Sequence, residues 1–133
     1  MTDTPQDHRL TWLKSTDGSA LVQGAAPANG TTYYAEVLAN GPDPRMWVGI
    51  EWDATDVSAY TLESAGKSGY DLAAWTAAGT GWTSQATALG TKTSASAINC
   101  DEWQVADLPR GSRWRVKRVV TTGGIATARG KRY

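Results

Sequence analysis

The sequence predicts an all-β chain: an antiparallel β-sandwich, jelly-roll-like, of eight to ten short strands. Three observations carry that expectation. Ala, Gly, Thr and Ser supply 60 of the 133 residues, and seven Trp with no Phe supply the bulk, a composition suited to pleated, half-buried surfaces. Apolar residues alternate with a period of two in short runs. Turn-forming clusters separate those runs at intervals of about ten residues. A chain of this length makes about one domain and buries roughly two thirds of the surface its unfolded form exposes. Its single Cys excludes an intrachain disulfide and a Cys-based zinc site. No apolar run approaches the roughly 20 residues of a membrane span.

Residues 1–8 (MTDTPQDH) lack apolar periodicity and any signal-peptide pattern, and read as an N-terminal arm. Leu10 and Trp12 alternate with Arg9 and Thr11 in a first strand, and Ala20–Gln23 forms a second. Residues 24–30 (GAAPANG) are a loop. Thr31–Leu38 is β-branched and aromatic, hence a strand, and the breaker cluster NGPDP at 40–44 ends it. In the strand Met46–Asp53, Met46, Val48, Ile50 and Trp52 share the core face. Trp47, Gly49, Glu51 and Asp53 share the other. Residues 57–65 suggest another strand, followed by the turn GKSG at 66–69.

For residues 71–78 (DLAAWTAA) a strand is preferred over a short helix capped by Asp71. Trp82–Leu89 reads as a strand, Lys92–Ile98 as an edge strand or loop, and Glu102–Ala106 as a strand with Trp103 and Val105 inward. Ser112–Thr121 places Trp114 and Val116 on one face and Arg113, Arg115 and Lys117 on the other. Its pattern slips at Arg118–Val120, where a bulge or strand end is expected. The sandwich is therefore expected over 9–122, with 123–133 as a basic C-terminal tail. Expected core residues are Met46, Val48, Ile50, Trp52, Trp103, Val105, Trp114 and Val116, with Trp12 and Trp82 also inward.

The net charge of zero hides an asymmetry. Residues 1–107 hold all 13 acids and five bases, and residues 108–133 hold eight bases and no acid. The basic end can fold back on its own acidic body, lie on an acidic neighbour or another copy, or neutralise nucleic-acid phosphates. The first two are preferred, and nucleic acid is not an expected partner. Three like charges on one strand face repel unless answered, and the carboxylates that answer Arg113, Arg115 and Lys117 must lie elsewhere in the chain or on another chain. With Arg129, Lys131 and Arg132 they form the expected subunit-contact or partner-binding set.

No catalytic residue, cofactor or metal site is expected. The one His, His8, sits on the arm. Cys100, beside Asp101 and Glu102, lacks the cationic surroundings that activate a thiol and reads as a small buried or half-buried residue. No G-x-S-x-G, H-E-x-x-H, P-loop or EF-hand pattern occurs. Glu51, Asp53 and Asp56 suit a solvated face, with calcium ligation as the open alternative. Trp47, beside carboxylates, and Trp75, after a small-residue stretch, are candidates for stacking on a sugar ring or for anchoring a subunit contact.

Residues 31–53 (TTYYAEVLANGPDPRMWVGIEWD) and GTGWTSQ at 79–85 are similar to jelly-roll carbohydrate-binding modules, where a Tyr-rich strand, a V-G-I-x-W strand and a Gly-x-Trp-Thr strand recur. The whole chain, short, Ala/Thr/Gly-rich, poor in cysteine and free of catalytic patterns, also resembles the small accessory proteins of tailed-phage virions: capsid decoration, head-fibre and minor tail proteins. That second resemblance implies a structural protein of the virion, present in many copies, partnered by other virion proteins and by itself. The first implies a non-catalytic, lectin-like module with a cell-surface glycan as partner.

Overall fold

A computed structural model describes residues 8–38, 42–76, 80–95 and 98–133. Among these residues it shows an all-β sandwich with nine strands: β1 (Leu13–Lys14), β2 (Thr32–Val37), β3 (Met46–Trp52), β4 (Val57–Ala65), β5 (Thr83–Ser84), β6 (Lys92–Thr93), β7 (Cys100–Val105), β8 (Arg113–Thr122) and β9 (Ala126–Arg132). Every pairing is antiparallel. The large sheet runs β1-β2-β8-β4-β5, with β6 also on the β4 edge, and the small sheet runs β7-β3-β9. From β2 to β4, and again from β7 to β9, the chain changes sheet at each step, the alternation of a jelly roll.

The period-two faces meet between the sheets. Tyr33, Ala35 and Val37 of β2, Tyr60 and Leu62 of β4, and Trp114, Val116 and Val120 of β8 pack against Met46, Val48, Ile50 and Trp52 of β3, Trp103 of β7, and Ala126 and Ala128 of β9. The expected core residues are buried in this cluster, except that Val105 is half-buried against it and Trp82 is buried instead on the outer face of the large sheet, beside Arg115. Trp12 and Trp52 flank the Tyr60 ring at 6.1 and 5.9 Å. Each buried indole N–H of Trp12, Trp52 and Trp114 donates to an oxygen, those of Ala126, Ile98 and the Ser112 hydroxyl, so these rings are buried without leaving a polar group unanswered.

Several expectations are corrected. Residues 123–133 are not a tail: 126–132 are β9, paired to β3 over its whole length. Ala126, Ala128 and Gly130 turn inward while Thr127, Arg129 and Lys131 turn out; the inward residues are too small to register as an apolar stripe. The β8 pattern does not slip at 118–120. Arg118 takes a core-facing position opposite Tyr60, and Val119 faces out. The irregularity lies one step later, where Val57 and Ser58 pair with Thr122 and Val120. Residues 71–76 form turns rather than a strand, and 77–78 lie outside the described residues. Trp82–Leu89 splits into β5 and one helical turn, α1 (Ala86–Leu89), closed by Gly90 at φ 80°. Among 9–23, strand structure is confined to β1 and two isolated bridges, Leu13 to Ala20 and Arg9 to Arg129 of β9. Yet Leu10 N–H donates to Ala128 and Gly130 N–H to the His8 carbonyl, so this segment runs along β9. Of the expected arm, only His8 lies within the described residues.

Candidate binding surfaces

The outer face of the large sheet is built around arginines. Arg115 is fully buried there, with its guanidinium carbon 3.6 Å from the Tyr34 ring centre and 4.3 Å from that of Trp82. Glu63, directly opposite on β4, takes its Nε and lies against its Nη2, both at 2.7 Å. Nη1 donates to the carbonyls of Ala74 and Thr76. Arg113 pairs with Glu36 through both Nε and Nη2, at 2.7 and 2.8 Å, and donates to the carbonyls of Gly69, Tyr70 and Leu72. The side-chain hydrogen bond that Arg113 donates to Glu36 raises the Arg113 pKa; burial is the dominant influence at Arg115 and lowers it. The five-donor fork of Arg thus clamps the irregular 69–76 segment onto the sheet.

A third arginine lies inside the sandwich. Arg118 is fully buried, donating to Asp56 at 2.8 Å and to the Gly124 carbonyl at 2.9 Å, beside Trp12 and Tyr60. Burial alone would raise the Asp56 pKa, but hydrogen bonds from Tyr60, Ser94, Arg118 and Ser58 outweigh it and hold the carboxyl below the ordinary range. Burial, with the Asp56 carboxylate, pushes the Tyr60 hydroxyl well up. The fourth pair, Arg129 to Glu51 at 2.5 Å, is exposed.

Among the described residues, Arg113, Arg115, Arg118 and Arg129 of the basic end are therefore answered by carboxylates of the acidic body. Arg115 is spent inside the fold, and Arg113 largely so; neither offers its guanidinium to a partner. The three carboxylates considered for calcium are separated. Glu51 meets Arg129, Asp56 meets Arg118, and Asp53 accepts the backbone N–H groups of Thr55, Asp56 and Ile125. Among the described residues no cluster of three or more His, Cys, Asp or Glu is placed to hold a metal. Cys100 is exposed rather than buried, at the start of an edge strand, and no helix among the described residues is long and apolar enough to cross a membrane.

Two of the open surfaces carry large exposed or half-exposed side chains beside charged ones. On the outer face of the small sheet, Trp47 of β3 lies between Gln104 of β7 and Lys131 of β9, and Gly49 between Glu102 and Arg129. The benzene half of the indole rests over Gly49, where any Cβ would collide with it. Its N–H donates to Glu102 at 2.5 Å. A hollow of about 460 Å³ opens on one side, lined by Trp47, Glu51, Cys100, Asp101, Glu102 and Arg129. One of about 440 Å³ opens on the other, lined by Trp47, Arg45, Gln104, Val105 and Tyr133. Trp75, the other candidate ring, is half-buried against Gly18 and lines neither. The second surface lies at the end of the large sheet. There Leu38 and Tyr70, 69% and 79% exposed, line a hollow of about 370 Å³ with Glu36, Gly111, Arg113 and Arg132. Arg132 donates to the Ser112 carbonyl at 2.7 Å.

Sequence reasoning named Trp47, Arg129 and Lys131 separately, and the β3–β9 register brings them together. It missed Leu38 and Tyr70, which flank breaker clusters and read only as members of expected strands. The chain matches no protein-family model, and no match is found among curated proteins.

Proposed function

We propose that this protein is a non-catalytic structural accessory protein of a tailed-phage virion, of the capsid-decoration, head-fibre or minor-tail kind. The end of the sandwich at Leu38 and Tyr70 holds it to a protein neighbour in the particle. The single observation that carries this reading is that pair of exposed apolar side chains on one hollow, rimmed by Arg113, Arg132 and Glu36. Scattered exposed Leu or Tyr is ordinary, but two on one hollow within a charged rim have the anatomy of a protein contact: apolar anchors inside, polar groups around. The neighbour that fits presents an apolar side chain to the hollow and a carboxylate to exposed Arg110, which stands just before the lining Gly111. The buried arginine clamps support the reading as well, since they fix the 69–76 segment that carries Tyr70.

The test is reloading of particles assembled without the protein, followed by sedimentation. Wild type is expected to load, and to load less at about 1 M salt, where the Debye length falls to about 3 Å. Leu38→Asp with Tyr70→Asp is expected to lose loading while far-UV circular dichroism stays that of the wild-type sandwich. Loading of that double variant at the wild-type level overturns the assignment.

A further inference from the structure

The geometry points to a second binding site, distinct from the docking end and sharing no lining residue with it: the outer face of the small sheet binds an uncharged carbohydrate chain, with Trp47 as its stacking platform.

The ring is the first argument. Trp47 sits mid-strand on an exterior face, half-exposed, and its orientation is set in advance: Gly49 beneath it leaves room for the ring, and Glu102 holds its N–H. A pre-oriented aromatic loses little freedom when a flat apolar surface settles on it, and the C–H face of a pyranose is such a surface. Space is the second argument. The two hollows meet at Trp47, and each has the volume of an ordinary ligand pocket, about 300–1,000 Å³. A ligand centred on the indole therefore extends to both sides across the strands, which suits a chain of at least two linked rings. Tyr133, 46% exposed, stands at the far side of the second hollow with Lys131 and Arg45 over its faces.

Charge is the third argument, and it selects the ligand class. The ionic groups of the trough are matched among themselves: Arg129 with Glu51 at 2.5 Å, Arg45 with Asp43 at 2.9 Å, Lys92 with Asp101 at 3.6 Å. Glu102 takes the Trp47 and Gln104 N–H groups. Cations held by carboxylates in this way offer little to a phosphate or sulfate chain, which would need an excess of unpaired cations. What the walls offer instead is a dense set of fixed donors and acceptors. A hydroxyl, which can both donate and accept, can use either kind. A neutral polyhydroxylated ring with one apolar face matches all three features.

The test is affinity electrophoresis in native gels cast with a β-glucan, an α-glucan, a xylan or a galactomannan, with heparin as the charged control. The expected result is retardation by at least one neutral polysaccharide, little by heparin, and a change in tryptophan emission on binding. Trp47→Ala should weaken binding at least tenfold, and Trp47→Tyr, which keeps a ring, should stay within a few-fold of wild type. Should Trp47→Ala fail to fold, Gly49→Ala displaces the same ring through its flexible outer end and should give the same loss. The Leu38→Asp, Tyr70→Asp variant should bind sugar as wild type does, which separates this site from the docking end. Absence of retardation by all four neutral polymers overturns the inference, as does stronger retardation by heparin, or wild-type binding by folded Trp47→Ala.

Discussion

Replacing Arg118 by Met keeps most of the side-chain volume and the apolar stem but deletes the guanidinium from the middle of the sandwich. Three hydrogen bonds disappear, to Asp56, to the Gly124 carbonyl and, at 3.5 Å, to the Ser58 hydroxyl, and Asp56 is left as a carboxylate with no exposed side-chain surface and no cation. Removing one partner of a fully buried pair costs about 3–5 kcal/mol, against a total stability of about 5–15 kcal/mol for a domain. The variant should therefore fold but sit close to its limit. At an m value of about 1.5 kcal/mol/M, a loss of 3 kcal/mol moves the urea midpoint by about 2 M. Tryptophan fluorescence reports this directly, since Trp12 and Trp52 flank Tyr60. The pH dependence has a defined sign. In wild type the Asp56 pKa is depressed on folding, so its contribution is complete above the ordinary aspartate value of about 3.9 and is lost as pH falls through the lower folded value. In Arg118→Met the missing cation moves the Asp56 pKa upward, and protonation relieves the stranded charge. The two proteins should thus differ most near pH 7 and converge on acidification. Adding Asp56→Asn to Arg118→Met should recover most of the loss at pH 7. A deficit below about 1 kcal/mol, or one that stays constant from pH 7 to pH 3, refutes the reasoning.

Arg115→Lys retains the charge but cannot reach Glu63 and two carbonyls at once; it should leave the sandwich intact while limited proteolysis, read by mass spectrometry, cuts within 69–76 at least tenfold faster. Asp53→Ala removes the acceptor of three backbone N–H groups and should cost about 1–3 kcal/mol in urea titration; because the neighbouring carboxylates are already committed to arginines, millimolar calcium should not move the melting temperature of wild type or variant.

Much of the fold is legible from the period of two. Met46–Trp52 alternates cleanly because both its faces do ordinary things: one is apolar core and the other mixed polar surface. Where the reading failed, a residue occupied a position its type rarely takes. Arg118 faces the core, so β8 looked broken at a point where its alternation in fact continues. Ala126, Ala128 and Gly130 face the core without bulk, so β9 looked like a tail. Tyr70, Leu72 and Ala74 alternate, but the backbone there bonds to arginine side chains instead of a neighbouring strand, so a strand pattern occurs without a strand. The binding surfaces were legible only in part. Trp47 stood out as an aromatic beside carboxylates, while its neighbours Arg129 and Lys131 arrive through a pairing some eighty residues away that no local pattern encodes. The internal fate of Arg113 and Arg115 was equally hidden, since Glu36 and Glu63 become their partners only once β2, β8 and β4 lie side by side.

The position of β8 between β2 and β4, and of β3 between β7 and β9, governs how the chain reaches its native state. In both sheets a strand from the first half finds its partners among the last third of the sequence. While the chain is being synthesised, β2, β3 and β4 are made first and wait with unsatisfied edges and apolar faces until residues 113–132 appear. Such non-local closure is slow compared with local helix or hairpin formation, and waiting strands are the species that aggregate. The β-branched and aromatic runs at 32–37 and 46–52 are therefore exposed longest in a nascent chain. Fragments that stop before β8 should accumulate as insoluble material, whatever the stability of the finished sandwich.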